Sequence, residues 1–297
     1  MKFEKQKNKF GFYQVKPMPT QEELNEYYSK DYFQKCTSKT YSAEYSKDEK
    51  EYFRNISLIA ERVWQKFSHK NKGSIIDVGC GEGYFIDYFA KKGWRIEACD
   101  FSSHGMKKHN PQILKHFVQG DIYDVLDNII KNKKKYDFVN LKNVLEHVLD
   151  PLDLLEKLKK IMHSKSLLRI QVPNDFSSFQ EFLVKKKLTE ETWFSPPDHL
   201  SYFNFDSIKK LLNKKGFSVV TTLTDFPIEV FLFNKHSNYF LDNEKGKQAH
   251  LARTEISNFL LKQGGVDKYI NYLSSSADLG FGRSIMIFVR LKAKEGD

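Results

Sequence analysis

Cysteine is scarce in this chain: three residues in 297, at Cys36, Cys80 and Cys99. They are scattered and form no C-x-x-C pair, so neither a disulfide framework nor a cysteine zinc site is supported. Long apolar runs are missing too, and no segment approaches the ~20 residues of a membrane span. The opening MKFEKQKNKF carries charges throughout, unlike a secretory signal, and a cytoplasmic protein is expected. No internal repeat or low-complexity tract is present. Acidic residues are outnumbered, 38 against 48 basic ones, for a formal net charge of +10. Such an excess can serve nucleic acid. Here, however, the lysines form short runs, Lys133 to Lys135 and Lys185 to Lys187, and pairs spread along the predicted helices. That is a solvated surface rather than a concentrated patch, and it argues against a nucleic-acid substrate. At 40% hydrophobic content the chain can bury one large core, or one core and a smaller lobe.

Within that frame one stretch stands out, IIDVGCGEGYF at residues 75–85. Ile75, Ile76 and Val78 suit a buried parallel strand. Gly79, Gly81 and Gly83 then give a turn where backbone can approach a ligand without a Cβ in the way. A helix follows over Glu82 to Lys92, with Phe85, Tyr88 and Phe89 on one face and Gly93 at its end. Strand, glycine turn and helix make a nucleotide-type unit, yet the spacing is not the G-x-G-x-x-G of dinucleotide sites, whose third glycine would fall on Tyr84. Asp77, two residues before the first glycine, would repel a pyrophosphate and would welcome an ammonium or sulfonium group.

Further strands are predicted at Arg95 to Cys99 (ending in Asp100), Ile113 to Gln119 (running into Gly120-Asp121-Ile122), Tyr136 to Leu141 and Leu167 to Val172. Asp150 and Pro151 suit N-cap and first position of the helix after the fourth strand. Alternating strands and helices imply a doubly wound α/β sheet with its ligand at the carboxyl ends of the strands. Asp100, at such an end, can accept both hydroxyls of a ribose. Both Asp100 and Asp121 also have a plainer reading as helix caps.

The motif D-V-G-C-G-E-G resembles the first motif of the class I S-adenosylmethionine-dependent methyltransferases, and the segment LEH followed by Asp150-Pro151 resembles that family's fourth-strand region. The resemblance covers about residues 73–223, with an echo in Ser284 to Leu291. It implies a Rossmann-like, seven-stranded, mostly parallel sheet, its last strand inserted antiparallel between the fifth and sixth. It implies S-adenosylmethionine as cofactor, held by Asp77, Gly79, Gly81, Gly83, Asp100, Phe101, Asp121, Ile122 and Asn140, with Asp121 at the adenine amino group and Ile122 over the ring. The segment ETWFSPPDHLSYFN, followed by a helix over Phe205 to Lys215 and by Gly216-Phe217, is similar to methyltransferases encoded with surface-glycan genes and, more distantly, to ubiquinone O-methyltransferases. A sugar, nucleotide sugar or glycan hydroxyl in surface polysaccharide biosynthesis is the acceptor this implies.

Around the methyltransferase core, 71–225, lie an N-terminal helical extension, 1–70, an acceptor loop, 175–204, an aromatic-rich insertion, 226–280, and a final strand and tail, 281–297. The insertion reads equally as a lid, a homodimer surface or ordinary core. A helix over Lys50 to Phe67 leads into the first strand, and its Arg54 is a candidate for the methionine carboxylate, an exposed arginine being the commoner case. For chemistry, Glu146, His147 and His199 fall where the acceptor belongs. His199 is the first choice as general base. A divalent metal on the three residues is a second reading, resembling the E-x-x-E-H segment of metal-dependent sugar-hydroxyl methyltransferases, although Asn143 replaces the first acid. Hydrogen bonding within the loop is a third. A protein that binds cofactor or a partner without turnover is the alternative to an enzyme; the intact Asp77, Gly79, Gly81, Gly83 and Asp100 with the histidines favour the enzyme.

Overall fold

A computed structural model of the chain describes residues 3–27 and 44–293. Cys36 and the end of the segment PMPTQEELNEYYSKDYF lie outside them. In chain order the strands are β1 (Glu4–Lys7), β2 (Tyr13–Lys16), β3 (Ser74–Val78), β4 (Arg95–Asp100), β5 (Phe117–Gln119), β6 (Tyr136–Lys142), β7 (Met162–Pro173), β8 (Ser201–Tyr202), β9 (Phe217–Thr224) and β10 (Ser284–Leu291). The helices are α1 (Gln21–Tyr27), α2 (Lys47–Ser68), α3 (Tyr84–Lys91), α4 (His104–His109), α5 (Ile122–Lys131), α6 (Pro151–Lys160), α7 (Ser178–Lys185), α8 (Phe205–Lys214) and α9 (Lys245–Asp278).

The main sheet has seven strands in the order β5-β4-β3-β6-β7-β10-β9. β3 runs parallel to β4 and β6, and β6 to β7. β10 inserts antiparallel between β7 and β9, as the resemblance implied. Period-two alternation sends each strand's side chains to two apolar layers. Ile76, Val139, Leu168 and Ile287 face α5, α6 and α8 through Leu126, Leu155 and Leu211. Ile75, Phe138, Leu167 and Phe288 face the other way, onto Trp64 of α2, Phe89 of α3 and Leu273 of α9.

Local chemistry explains the helix starts. Ser46 and Glu49 form a reciprocal capping box at α2, the Glu49 N–H reaching Ser46 Oγ at 3.2 Å and the Ser46 N–H reaching Glu49 Oε2 at 2.8 Å. Asp150 caps α6 by accepting the N–H groups of Leu152 and Asp153 at 2.9 and 3.0 Å, with Pro151 at the first position.

The structure corrects the sequence reading in two places. The extension before residue 70 is not purely helical: β1 and β2 form a hairpin that β8 joins in a second, three-stranded sheet. The predicted strand over Ile113 to Gln119 is mostly a 3-10 turn, Pro111–His116, and only Phe117 to Gln119 pair with β4. Pro111 fixes a helical φ and supplies no N–H to a ladder, which favours the turn. The insertion before the last strand is helical, as expected, and contains one long helix, α9, broken at Gly265, where φ is 73°. It packs along α2, with Arg62 donating twice to the Asp267 carboxylate at 2.9 and 2.7 Å and Asn55 Nδ2 donating to Asn258 at 3.0 Å.

Its last third, with Tyr269, Ile270 and Leu273, is part of the apolar layer over the sheet. Leu273→Ala should therefore cost about 2–5 kcal/mol of folding stability, as for a buried leucine elsewhere. Urea unfolding followed by circular dichroism measures this; a change under ~0.5 kcal/mol would mean that the helix is a detachable cover.

Candidate active site

Above the carboxyl ends of β3, β4 and β6 lies a cavity of ≈ 600 Å³. Its floor is the glycine turn. Gly79, Gly81 and Gly83 have φ of 74°, 53° and 79°, and a Cβ on Gly79 would stand 2.2 Å from Val144 Cγ2. Only glycine fits a positive φ against that neighbour without strain. The Gly79 and Cys80 N–H groups both donate to the Cys99 carbonyl, at 2.8 and 3.1 Å, which locks the turn to β4.

Asp100 is held between two loops. Its Oδ2 accepts the Gly81 N–H at 2.8 Å and its Oδ1 the Ser102 N–H at 3.0 Å. Each oxygen keeps a lone pair for a diol. Burial raises its pKa, opposed by those backbone donors. Asp77, 2% exposed, accepts from Asn140 Nδ2 at 2.5 Å, and burial pushes it up to about 6. Asn140 in turn accepts from Arg169 Nη1 at 2.6 Å. Asn140 thus lines the cavity with its amide already committed to Asp77 and Arg169, a support for the acid next to the turn. Asp121 caps α5 by accepting the Tyr123 N–H at 2.8 Å, and with Ile122 it lines the cavity. Phe101, 58% exposed, stands at the same end.

At the other end, Glu146, His147 and His199 meet. One ligand atom from each lies within 4.8 Å of the others. Residues 143–148 form a turn, with Asn143 at a φ of 53°. The turn is pinned because the Glu146 carbonyl accepts the N–H groups of Leu200 and Ser201, at 2.8 and 3.0 Å. His147 Nδ1 lies 2.6 Å from the Asp198 carbonyl, so it carries the proton and Nε2 is left with a lone pair. Both Glu146 carboxylate oxygens and His199 Nδ1 are buried without a hydrogen-bond partner. Burial raises Glu146 to about 7 and lowers His199 to about 3, the latter aided by His147 and Arg283. Burial thus raises the proton affinity of Glu146 and disfavours the charged form of His199.

The sequence reading missed several residues of the cavity. Glu82 pairs with His109 Nε2 at 3.1 Å and is raised by burial to about 7, and Tyr84 OH sits 3.1 Å from His109 Nδ1. Tyr45 and Phe53 complete an aromatic wall with Tyr84. Lys142 lines the cavity too, whereas Arg54 is exposed and does not.

A family model described as a methyltransferase domain matches residues 46–222. Among curated proteins, the ubiquinone biosynthesis O-methyltransferase of Haemophilus ducreyi is 27% identical over 132 residues, 41% of this chain and 56% of the relative. The protein of that name from Escherichia coli O157:H7 is 28% identical over 109 residues, 36% of this chain and 44% of the relative. The chain thus spans about half the length of the curated relatives it matches. The solved structure of the plantazolicin methyltransferase BpumL in complex with SAH superimposes with a TM-score of 0.53 at 17% identity, over 92% of this chain and 99% of that one.

The unpartnered Glu146 carboxyl has a thermodynamic consequence. A carboxyl raised from 4.5 to about 7 binds its proton more tightly when folded, so stability falls as pH rises through that window. His199, lowered from 6.5 to about 3, contributes only as pH falls below its ordinary value, and the Glu146 contribution is complete once pH has passed about 7. Glu146→Gln should match the native ligand-free protein near pH 5 and exceed it at pH 8 by on the order of 2–3 kcal/mol. Denaturant titrations at both pH values test this, and equal stability at pH 8 would show that the ionised carboxylate has found a partner.

Proposed function

The chain belongs to the methyltransferase domain family, and from that premise we propose that it transfers the methyl group of S-adenosylmethionine to a hydroxyl oxygen of a small acceptor. The observation that carries this reading is the pairing of an unpartnered buried carboxyl, Glu146, with two imidazoles in the same cavity as Asp77, Asp100 and the glycine turn. The turn and Asp77 suit a cationic methionine part, Asp100 a ribose, and Asp121 with Ile122 and Phe101 an adenine.

The reaction is a direct displacement. The sulfur–methyl bond breaks as the oxygen–methyl bond forms, the neutral thioether leaves, and the hydroxyl proton goes to a base. Alignment of acceptor and donor supplies much of the rate. Glu146, with a proton affinity near neutrality, suits the base, and His147 and His199 orient the hydroxyl beside it. This end of the cavity is polar, with Glu146, His147, Asp198 and His199 set against Leu149 and Pro173. It supports a sugar, nucleotide sugar or glycan as the first acceptor class, and a ubiquinone-type phenol is the competing one.

A divalent metal is the second reading, favoured by the three convergent donors and by their unsatisfied atoms. Glu146, His147 and His199 would hold it, and it would supply a lowered pKa at the acceptor hydroxyl.

Asp100→Ala should weaken binding of S-adenosylhomocysteine by about 1.5–3 kcal/mol in calorimetry, the range for hydrogen bonds to a charged group. Glu146→Ala should lower turnover ~100-fold or more with thioether affinity retained, measured as thioether release with a panel of sugar and phenol acceptors. Activity abolished by a chelator and restored by a divalent ion selects the metal reading. A wild-type chain that binds neither thioether nor sulfonium overturns the function.

A further inference from the structure

Lysine and arginine are abundant in the chain, yet among the described residues that line the cavity only one is present, Lys142. The acids there are Asp77, Glu82, Asp100, Asp121, Glu146 and Asp198. Lys142 is the last residue of β6 and lies two positions beyond Asn140, hence on the same sheet face and nearer the carboxyl edge. Asn140 pairs in register with Asp77 on one side and Arg169 on the other. Among the described residues the Lys142 ammonium makes no hydrogen bond or ion pair. The neighbouring guanidiniums are committed elsewhere: Arg169 donates to Asn140 and Gln171, and Arg253 faces Asp225 at 3.5 Å. Burial, with Arg169 nearby, lowers the Lys142 pKa to about 8, opposed by the more distant carboxylates of Asp77 and Glu82, neither of which makes an ion pair with it.

Position along the sheet edge gives the anion its identity. From β5 across β4 and β3 to β6, the cavity presents Asp121, then Asp100, then Asp77 with the glycine turn, then Lys142. Under the proposed function, which this inference deepens, the ligand runs in the same order: adenine, ribose, then the sulfur-bearing chain that ends in an ammonium and a carboxylate. The carboxylate is its single anion.

We propose that Lys142 is the receptor for the methionine carboxylate of the cofactor, closing the far end of the binding site with a charge-assisted hydrogen bond. Arg54 on α2, the candidate from sequence, is exposed and stands outside the cavity, so that helix contributes only the apolar Phe53 and Ile56 to this wall.

The test is a cycle of two proteins and two ligands, read by calorimetry: native chain and Lys142→Met, each with S-adenosylhomocysteine and with its decarboxylated analogue, which lacks only the carboxylate. The native protein should prefer the full thioether by 10-fold or more, and Lys142→Met should lose most of that preference while binding the analogue as before. Lys142→Arg should keep at least part of the preference, since it keeps the charge; Lys142→Gln serves in place of Lys142→Met should that variant not fold. A full preference retained in Lys142→Met overturns the inference and leaves the cofactor reading intact. So does an unchanged thioether affinity accompanied by a raised KM for a carboxylate-bearing acceptor, which would assign the cation to the acceptor. A native chain that binds neither ligand overturns the cofactor reading itself.

Discussion

The arrangement depends on a row of buried polar side chains that crosses three central strands. Asp77 on β3 accepts from Asn140 on β6, Asn140 accepts from Arg169 on β7, and Arg169 also donates to Gln171. Arg169 is fully buried, with its guanidinium 5.1 Å from the Phe85 ring centroid. Central parallel strands are ordinarily apolar on both faces, and burying ions there is costly unless they are paired and hydrogen-bonded. Here acid and guanidinium are joined through an amide that serves both, so the row can form only in one register of β3, β6 and β7. Its outcome is a carboxyl kept beside the glycine turn, in surroundings dry enough to raise its pKa to about 6, where a cationic ligand is the group that would restore its ordinary ionisation.

The acceptor end is built on the opposite logic. Glu146 is as buried as Asp77, yet its carboxylate has no donor, and the donors it lacks are withheld by construction. His147 spends its Nδ1 proton on the Asp198 carbonyl, and His199 Nδ1 faces Asp175 across 3.9 Å. Asp175 is itself anchored by Arg283 at 2.8 Å. The site thus keeps Glu146 and His199 with unsatisfied buried atoms while His147 and Asp175 are anchored beside them, which is how a fold keeps a proton acceptor or metal ligand available at a cost in stability.

Much of this was legible in the sequence, and the legible parts share a cause. The glycine turn, the strand-ending acids and the Asp150-Pro151 cap are local devices whose chemistry is complete within a few residues. What escaped was non-local or weakly patterned. β1 reads EKQK and is exposed at every position, so no alternation marked it as a strand; β2 and β8 give it partners only in three dimensions. Arg169 sits in an apolar run, LLRIQV, and nothing nearby in sequence says that Asn140 and Asp77 receive it. The proton affinities of Glu146 and His199 were not readable at all, because they are set by how deeply a loop from β7 and a turn from β6 bury each other. Lys142 was passed over as one lysine among many; its distinction is that, among the described residues, the other lysines stay outside the cavity.

That last contrast bears on how charge is partitioned in the molecule. In a chain with a formal charge of +10, the described residues that line the cavity include six acids and a single lysine, so the positive charge is concentrated away from the site. Under the proposed function the cofactor carries one net positive charge, from a sulfonium, an ammonium and a carboxylate, and the product thioether carries none. A cavity with this imbalance discriminates between them through the sulfonium alone, because both ligands present the same ammonium to Asp77 and the same carboxylate to Lys142. On that reading the sulfonium is the one charge that separates donor from product, and methyl transfer removes it.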